Sequence, residues 1–257
     1  MRTGIALHLA ALAHADRLLE ATVREAAMSS PEWWEAHHQL AKLKPGTSWF
    51  GPIGRAIARD IAKKYTRSCA LGDAVVLGSG FSKTPYWLAR TGAFRRVYGI
   101  DSSISAVRAM SRYAKALDHG ARGGWDIVRY VRADVTRPGQ FRRNVSLVLD
   151  EGVLDVLQAG PGIDPAARSA ARQVMDEYLE RASALIRPGG IFVVVGYAGN
   201  PAVVNQTTLE LSCWTRRGGF LRLDALGADP RRACSPWGPG AYVLTRRRVA
   251  DDRVEIV

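Results

Sequence analysis

The chain has 257 residues, 47% hydrophobic and 23% charged, which suits one packed domain of generous size and excludes wholesale disorder. Its formal net charge is +12, with Arg supplying 30 of the 36 basic residues. The charge allows an anionic partner such as nucleic acid, but the arginines are spread along the whole chain rather than gathered into one patch. Three cysteines, Cys69, Cys213 and Cys234, include no Cys-x-x-Cys pair. An odd number without that spacing argues against a zinc site or a disulfide framework and for a reducing compartment.

No apolar run reaches membrane-spanning length. In the first 28 residues Asp16, Glu20 and Glu25 cancel Arg2, Arg17 and Arg24, which makes a poor import signal. The segment reads as an amphipathic helix or a weakly ordered lead-in. A cytoplasmic protein is expected, with mitochondrial import as the lesser alternative.

From residue 54 the elements alternate. Gly54–Arg67 has helical spacing at Ile57, Ala58, Ile61 and Tyr65. Ala74–Leu77 is a short apolar run that ends in Gly78-Ser79-Gly80, a buried strand feeding a turn. Thr84–Gly92 reads as a helix stopped by its glycine. Arg96–Ile100 is a second strand closing at Asp101, and Ser103 caps the next helix, whose inner face is Ile104, Val107, Met110 and Ala114. Ile127–Arg132 closes at Asp134, and Val145–Leu149 closes at Asp150-Glu151. A long helix from Pro165 to Ile186 buries Ala171, Val174, Met175, Tyr178, Ala182 and Leu185 and is ended by Pro188-Gly189-Gly190. Ile191–Val195 is a fifth strand, and Phe220–Leu226 with Ala241–Thr245 forms a hairpin.

Strands alternating with helices predict an α/β fold. The expectation is a Rossmann-like, mostly parallel seven-stranded sheet with helices on both faces and a C-terminal antiparallel hairpin. Residues 1–53 read as a helical extension and lid, and 54–257 as the main domain.

The Gly-x-Gly turn lets the backbone approach a ligand closely, but alone it is also an ordinary strand–helix turn. Asp101 lies 21 residues after Gly80 at the next strand end, where an acid can accept hydrogen bonds from ribose hydroxyls. Asp134 ends the third strand, where an adenine amino group would lie; its alternative is a plain turn residue. Gly78, Asp101, Asp134 and Asp150 all fall at the carboxyl ends of strands, where open α/β sheets bind ligands. A dinucleotide site wants Gly-x-Gly-x-x-Gly, and position 83 is Lys. S-adenosylmethionine (SAM) carries no phosphate and does not need that third glycine, so SAM is favoured over a nicotinamide dinucleotide.

Several blocks together resemble the seven-strand lysine methyltransferases that modify elongation factor 1A and citrate synthase. They are Trp33-Trp34-Glu35-Ala36-His37-His38, Ser48-Trp49-Phe50-Gly51, Leu77-Gly78-Ser79-Gly80-Phe81-Ser82, Ile100-Asp101-Ser102-Ser103, Val148-Leu149-Asp150-Glu151-Gly152-Val153-Leu154-Asp155 and Arg187-Pro188-Gly189-Gly190. The resemblance covers roughly residues 31 to 200. It implies a SAM-dependent methyltransferase acting on a protein lysine, with elongation factor 1A preferred over citrate synthase. It implies cofactor contacts from Trp33, Trp49, Gly78, Ser79, Gly80, Asp101, Ser102, Asp134, Val135 and Asp150. Asp150 and Glu151 are the candidates for orienting an incoming amine, with capping of the following turn as the alternative. The sequence departs from the family where Glu151 replaces a lysine, Val153 a threonine and His37 an arginine. With His37 there, a permanent cation for the cofactor carboxylate is lost or replaced by another donor.

Trp33, Trp34, Trp49 and Phe50 form an aromatic wall near the sulfonium or, alternatively, pin the N-terminal segment into the core. The histidines His8, His14, His37, His38 and His119 show no metal-ligand spacing, and no metal is expected. Other readings stay open: an RNA or DNA methyltransferase, a small-molecule methyltransferase, or a non-catalytic SAM-fold binding module. Against the nucleic-acid reading, Leu149-Asp150-Glu151-Gly152 stands where many base-methylating enzymes have Asn/Asp-Pro-Pro-Tyr/Phe.

Overall fold

The computed structural model describes residues 30–40, 43–48, 53–69, 72–118, 127–136, 144–159, 165–196, 220–226 and 240–246. The lead-in before residue 30, Trp49 and Phe50 lie outside them, as do Cys213 and Cys234.

Helix α1 (Pro31–Leu40) starts where Ser30 Oγ accepts the Trp33 N–H, and α2 (Ile53–Cys69) follows. Strand β1 (Gly72–Leu77) leads through the glycine turn to α3 (Thr84–Arg90), β2 (Phe94–Asp101) and α4 (Ile104–Asp118). Next come β3 (Val128–Arg132), β4 (Val145–Glu151), the short α5 (Val153–Ala159), α6 (Pro165–Leu185) and β5 (Ile186–Gly196). The strands lie in the order β3-β2-β1-β4-β5, all parallel, so every link between them is a crossover. Beyond β5 the order continues to β7 (Gly240–Arg246) and β6 (Phe220–Leu226), with β7 antiparallel to both neighbours.

The inner strands carry unbroken apolar runs, Ala74–Leu77, Leu147–Leu149 and Ile191–Val195, because the sheet is covered on both sides. Val76, Leu147, Leu149 and Val193 pack on one face with Ile57, Ile61 and Leu88 of α2 and α3. Val75, Leu77, Val148 and Phe192 pack on the other with Leu154 of α5 and Met175, Tyr178 and Leu185 of α6. Strand alternation therefore decides which side each residue at a strand end can serve.

Two expectations about α6 need correction. Val174 is 45% exposed, so the buried stripe runs through Met175, Tyr178, Leu179, Ala182 and Leu185 instead. Pro188-Gly189-Gly190 does not end the helix, which stops at Leu185. It lies inside β5, where register passes from Val145↔Ile186 to Leu147↔Ile191. Gly189 takes φ 75° in this bulge, and a Cβ on Gly190 would collide with Ile186 and the Ser146 carbonyl.

Candidate functional site

The glycine turn sits at the carboxyl end of β1, between the ends of β2 and β4. Gly78 has φ +69°, and a Cβ there would come within 2.6 Å of Val153 Cγ2 and 3.3 Å of the Glu151 carbonyl oxygen. Gly78 is thus required for packing against the end of β4. Gly80, at φ +45°, is different: its Cβ would meet nothing nearer than His38 Nε2 at 3.8 Å and Asp101 Oδ2 at 4.0 Å. Space is held open above the turn between an imidazole and a carboxylate.

Asp101 is buried. Its Oδ2 accepts the Gly80 N–H at 2.8 Å and its Oδ1 accepts the Ser103 N–H at 2.9 Å. Burial raises its pKa, against the pull of those two backbone donors. Each oxygen keeps a lone pair for a further donor. Ser79 lies under the turn: its N–H donates to the Ile100 carbonyl, while its buried Oγ has no hydrogen-bond partner. Ser102, next to Asp101, offers its carbonyl to Arg132 Nε at 3.3 Å. At the end of β3, Asp134 Oδ1 accepts both the backbone N–H and the hydroxyl of Thr136, which closes a local turn. Val135 packs against the apolar cluster of the α6 face.

The paired acids at the end of β4 part company. Asp150 is fully buried and faces α6. It accepts the Tyr178 hydroxyl at 2.5 Å and the N–H groups of Val153 at 2.9 Å and Leu154 at 3.2 Å. These bonds cap α5, the alternative that the sequence also offered, and the Asp150 side chain projects to the sheet face opposite Glu151. Burial raises Asp150 to about 7, opposed by the Tyr178 hydrogen bond. Glu151 points to the α2–α3 side. Its Oε1 accepts the Ser48 hydroxyl at 3.0 Å, and its buried Oε2 has no hydrogen-bond partner. Burial lifts Glu151 to about 7 as well, against the pull of the Ser82, Ser48 and Thr84 hydroxyls.

Residues 30–40 and 43–48 lie against the turn and the helix that follows β2. The Gly46 N–H donates to the Phe81 carbonyl at 2.7 Å, and Lys83 Nζ lies 5.0 Å from the Tyr113 ring centre. Glu35 bridges from α1 to the start of α4, accepting hydrogen bonds from the Ser103 hydroxyl and from the N–H and hydroxyl of Ser105. Helix α4 has no acid in its own first turn, so Glu35 supplies the negative charge its N-terminus favours. Burial opposes ionisation of Glu35, but the hydrogen bonds from Ser105, Ser103 and Gln39 outweigh it and draw the group down to about 2.

The aromatic wall is partly described. Trp33 stacks on His37 with ring centres 4.9 Å apart. The ring centres of His37 and His38 are 5.9 Å apart, and each lies 5.7 Å from Trp34. His38 is the buried one, edge-on to Phe81 at 5.2 Å. Burial and then the neighbouring His37 lower it to about 4, so it is neutral near pH 7. Sequence reasoning passed over Glu35 and His38 as site residues. Among the described residues no group of three His, Cys, Asp or Glu could hold a metal ion.

The residues around the gap suit a nucleoside. A buried acceptor-only carboxylate flanks it, Gly80 leaves it open, and Ser79 Oγ lies unpartnered below.

Among solved structures, a Streptomyces caelestis methyltransferase, CcbJ, superposes with a TM-score of 0.57 at 17% identity, covering 83% of this chain and 96% of that one. A protein of Methanococcus maripaludis assigned to the S-adenosyl-L-methionine-dependent methyltransferases gives 0.54 at 12% identity over 89% and 96%. The fold is that of the class I SAM-dependent methyltransferases. In sequence, the chain is similar to EEF1A lysine methyltransferase 4 of Mus musculus, 30% identical over 169 residues, and to its Bos taurus counterpart, 28% identical over 163. Those matches take in 65% and 63% of this chain and span 61% and 58% of the relatives' length. No protein-family model matches the chain.

Proposed function

We propose that this chain is a SAM-dependent methyltransferase that modifies a lysine side chain of a protein, with an elongation factor 1A-like acceptor preferred. The observation that carries the reading is the pairing of Asp101 with Gly80 at the open glycine turn. Similarity to EEF1A lysine methyltransferase 4 supports the acceptor class. The seven-strand sheet with its β6–β7 edge, and residues 1–53 as a lid, belong to the same reading.

SAM supplies a methyl group on a sulfonium that carries its own leaving group. The protein's part is positional. Gly78, Ser79 and Gly80 bring backbone close to the amino-acid end, Asp101 and Ser102 face the sugar, and Asp134 and Val135 border the base. Trp33 stands on the aromatic side, and the resemblance assigns Trp49, outside the described residues, to the same role. Glu151 serves the acceptor. A lysine ammonium must lose a proton before it can attack, since its ordinary pKa is near 10.4. Glu151, buried at the end of β4, receives an amine N–H and orients it.

The +12 charge keeps a nucleic-acid acceptor as the second reading. Transfer of tritium from labelled SAM into a cell extract separates them. Label on one protein band, located on lysine by mass spectrometry, is expected. Label on RNA or DNA would move the assignment to nucleic acid, soluble label would move it to a small molecule, and no label would remove the catalytic reading.

A further inference from the structure

The gap above Gly80 has two polar walls of opposite hydrogen-bonding character. Asp101 is an acceptor only when ionised, and its two oxygens already take the N–H groups of Gly80 and Ser103. His38 borders the same gap, 8% exposed and wedged against Phe81 and Trp34. Its Nδ1 is buried with no hydrogen-bond partner, while its Nε2 lies 3.8 Å from where a Gly80 Cβ would be.

The tautomer follows from burial. A neutral imidazole has one N–H and one bare nitrogen. Leaving a bare nitrogen unpaired in apolar surroundings is tolerated better than stranding an N–H there. Nδ1 is therefore the bare nitrogen, and Nε2 carries the hydrogen toward the gap. A donor and an acceptor that face each other across one space are both satisfied by a hydroxyl, which accepts from one and donates to the other. A carboxylate in that space would repel Asp101, and an ammonium would find no acceptor at His38.

We propose that His38 is a nucleoside-binding residue, donating Nε2–H to a ribose hydroxyl that in turn donates to Asp101. Binding is thereby tied to the N-terminal helix, because Glu35 anchors α1 to Ser103 and Ser105, directly after Asp101 in the chain. The cofactor's sugar is thus held from both α1 and β2. The inference rests on the methyltransferase reading above and adds to it a contact from α1 and the chemical group it recognises.

The test is a cycle between side chain and ligand. Calorimetry measures the affinity of S-adenosylhomocysteine, and of its 2′-deoxy and 3′-deoxy analogues, for the full chain, His38→Phe and His38→Gln. Phenylalanine keeps the ring packing against Phe81 and Trp34 but has no donor, and glutamine restores an N–H at the position of Nε2. A lost hydrogen bond of this kind weakens binding by roughly three- to tenfold. His38→Phe is expected to show that loss with S-adenosylhomocysteine, and His38→Gln to recover part of it. One deoxy analogue should bind the parent chain correspondingly less well and suffer no further loss in His38→Phe, because the same bond is already gone. If the parent binds and the two losses multiply, or if His38→Phe binds as the parent does, His38 is packing alone and the proposal is overturned. If the parent binds no S-adenosylhomocysteine, the methyltransferase reading fails and takes the proposal with it. Thermal melting of the free variants confirms that each is folded.

Discussion

Ser48 donates its hydroxyl to Glu151 at 3.0 Å across 103 positions of sequence, tying the N-terminal segment to the end of β4. The bond places a carboxyl group under the glycine turn from one side of the sheet, while its neighbour Asp150 is spent on the other. In the proposed reading Glu151 is the acid left to serve an acceptor, and its burial sets its pH behaviour.

Because burial lifts the folded-state pKa of Glu151 to about 7 from an ordinary 4.5, the folded protein holds this proton more tightly than the unfolded chain does. The group is without penalty below about pH 4.5 and destabilises progressively as pH rises to about 7, by on the order of 3 kcal/mol at most. His38 works in the opposite direction between about 4 and 6.5, so the comparison must be between variant and parent. Glu151→Gln is expected to shrink the loss of stability between pH 5 and pH 8, read as urea midpoints. A midpoint difference identical to the parent's would contradict the buried, shifted acid.

Asp150 is expected to behave as a structural group. Tyr178→Phe removes one of its donors within a fully buried pair and should lower stability by about 1–3 kcal/mol. Asp150→Ala should cost as much or more, since Val153 and Leu154 lose their cap as well, whereas Asp150→Asn keeps an acceptor for them. Denaturant unfolding checks the order. If Asp150→Asn instead left stability intact and abolished methyl transfer, a catalytic part for this residue would return.

The two glycines of the turn should fail differently. Gly78→Ala drives a Cβ into Val153 and the Glu151 carbonyl at a positive φ, so a poorly folded protein with a markedly lower melting temperature is expected. Gly80→Ala meets no such wall and carries only the backbone strain, about 1 kcal/mol, yet its methyl enters the gap beside Asp101. It should fold and bind S-adenosylhomocysteine at least tenfold more weakly. Equal binding by Gly80→Ala and the parent would show that no ligand approaches that side of the turn.

Glu35→Ala removes the tie between α1 and the start of α4. Loss of a cap of this type costs about 1 kcal/mol. Hydrogen exchange should quicken in residues 31–40 and in the first turn of α4, while the β1 and β4 amides stay protected. Unchanged exchange in α1 would mean that the aromatic contacts alone hold it.

The parallel sheet could be read from sequence because its signals are local. Each apolar run from Ala74 to Val195 ends at a glycine or an acid, and those ends gather on one rim. That Asp101 would lie beside the Gly78–Gly80 turn was legible for the same reason. Position 150 was not, since only the direction of each side chain on β4 separates a cap for α5 from an acid under the turn. Glu35 was hidden because it caps a helix 68 positions away, and no spacing rule reaches that far. His38 looked like one half of an adjacent pair, and burial, not pattern, singles it out. Pro188-Gly189-Gly190 reads as a helix stop by composition, but Leu185 already ends the helix and the strand absorbs the turn as a bulge.

Isothermal calorimetry of the chain and of Asp101→Ala with S-adenosylhomocysteine is the most direct measurement of all. One site per chain is expected in the parent, and at least a tenfold loss of affinity in a variant that still melts cooperatively. No binding by the parent, or equal binding by a folded Asp101→Ala, would contradict it.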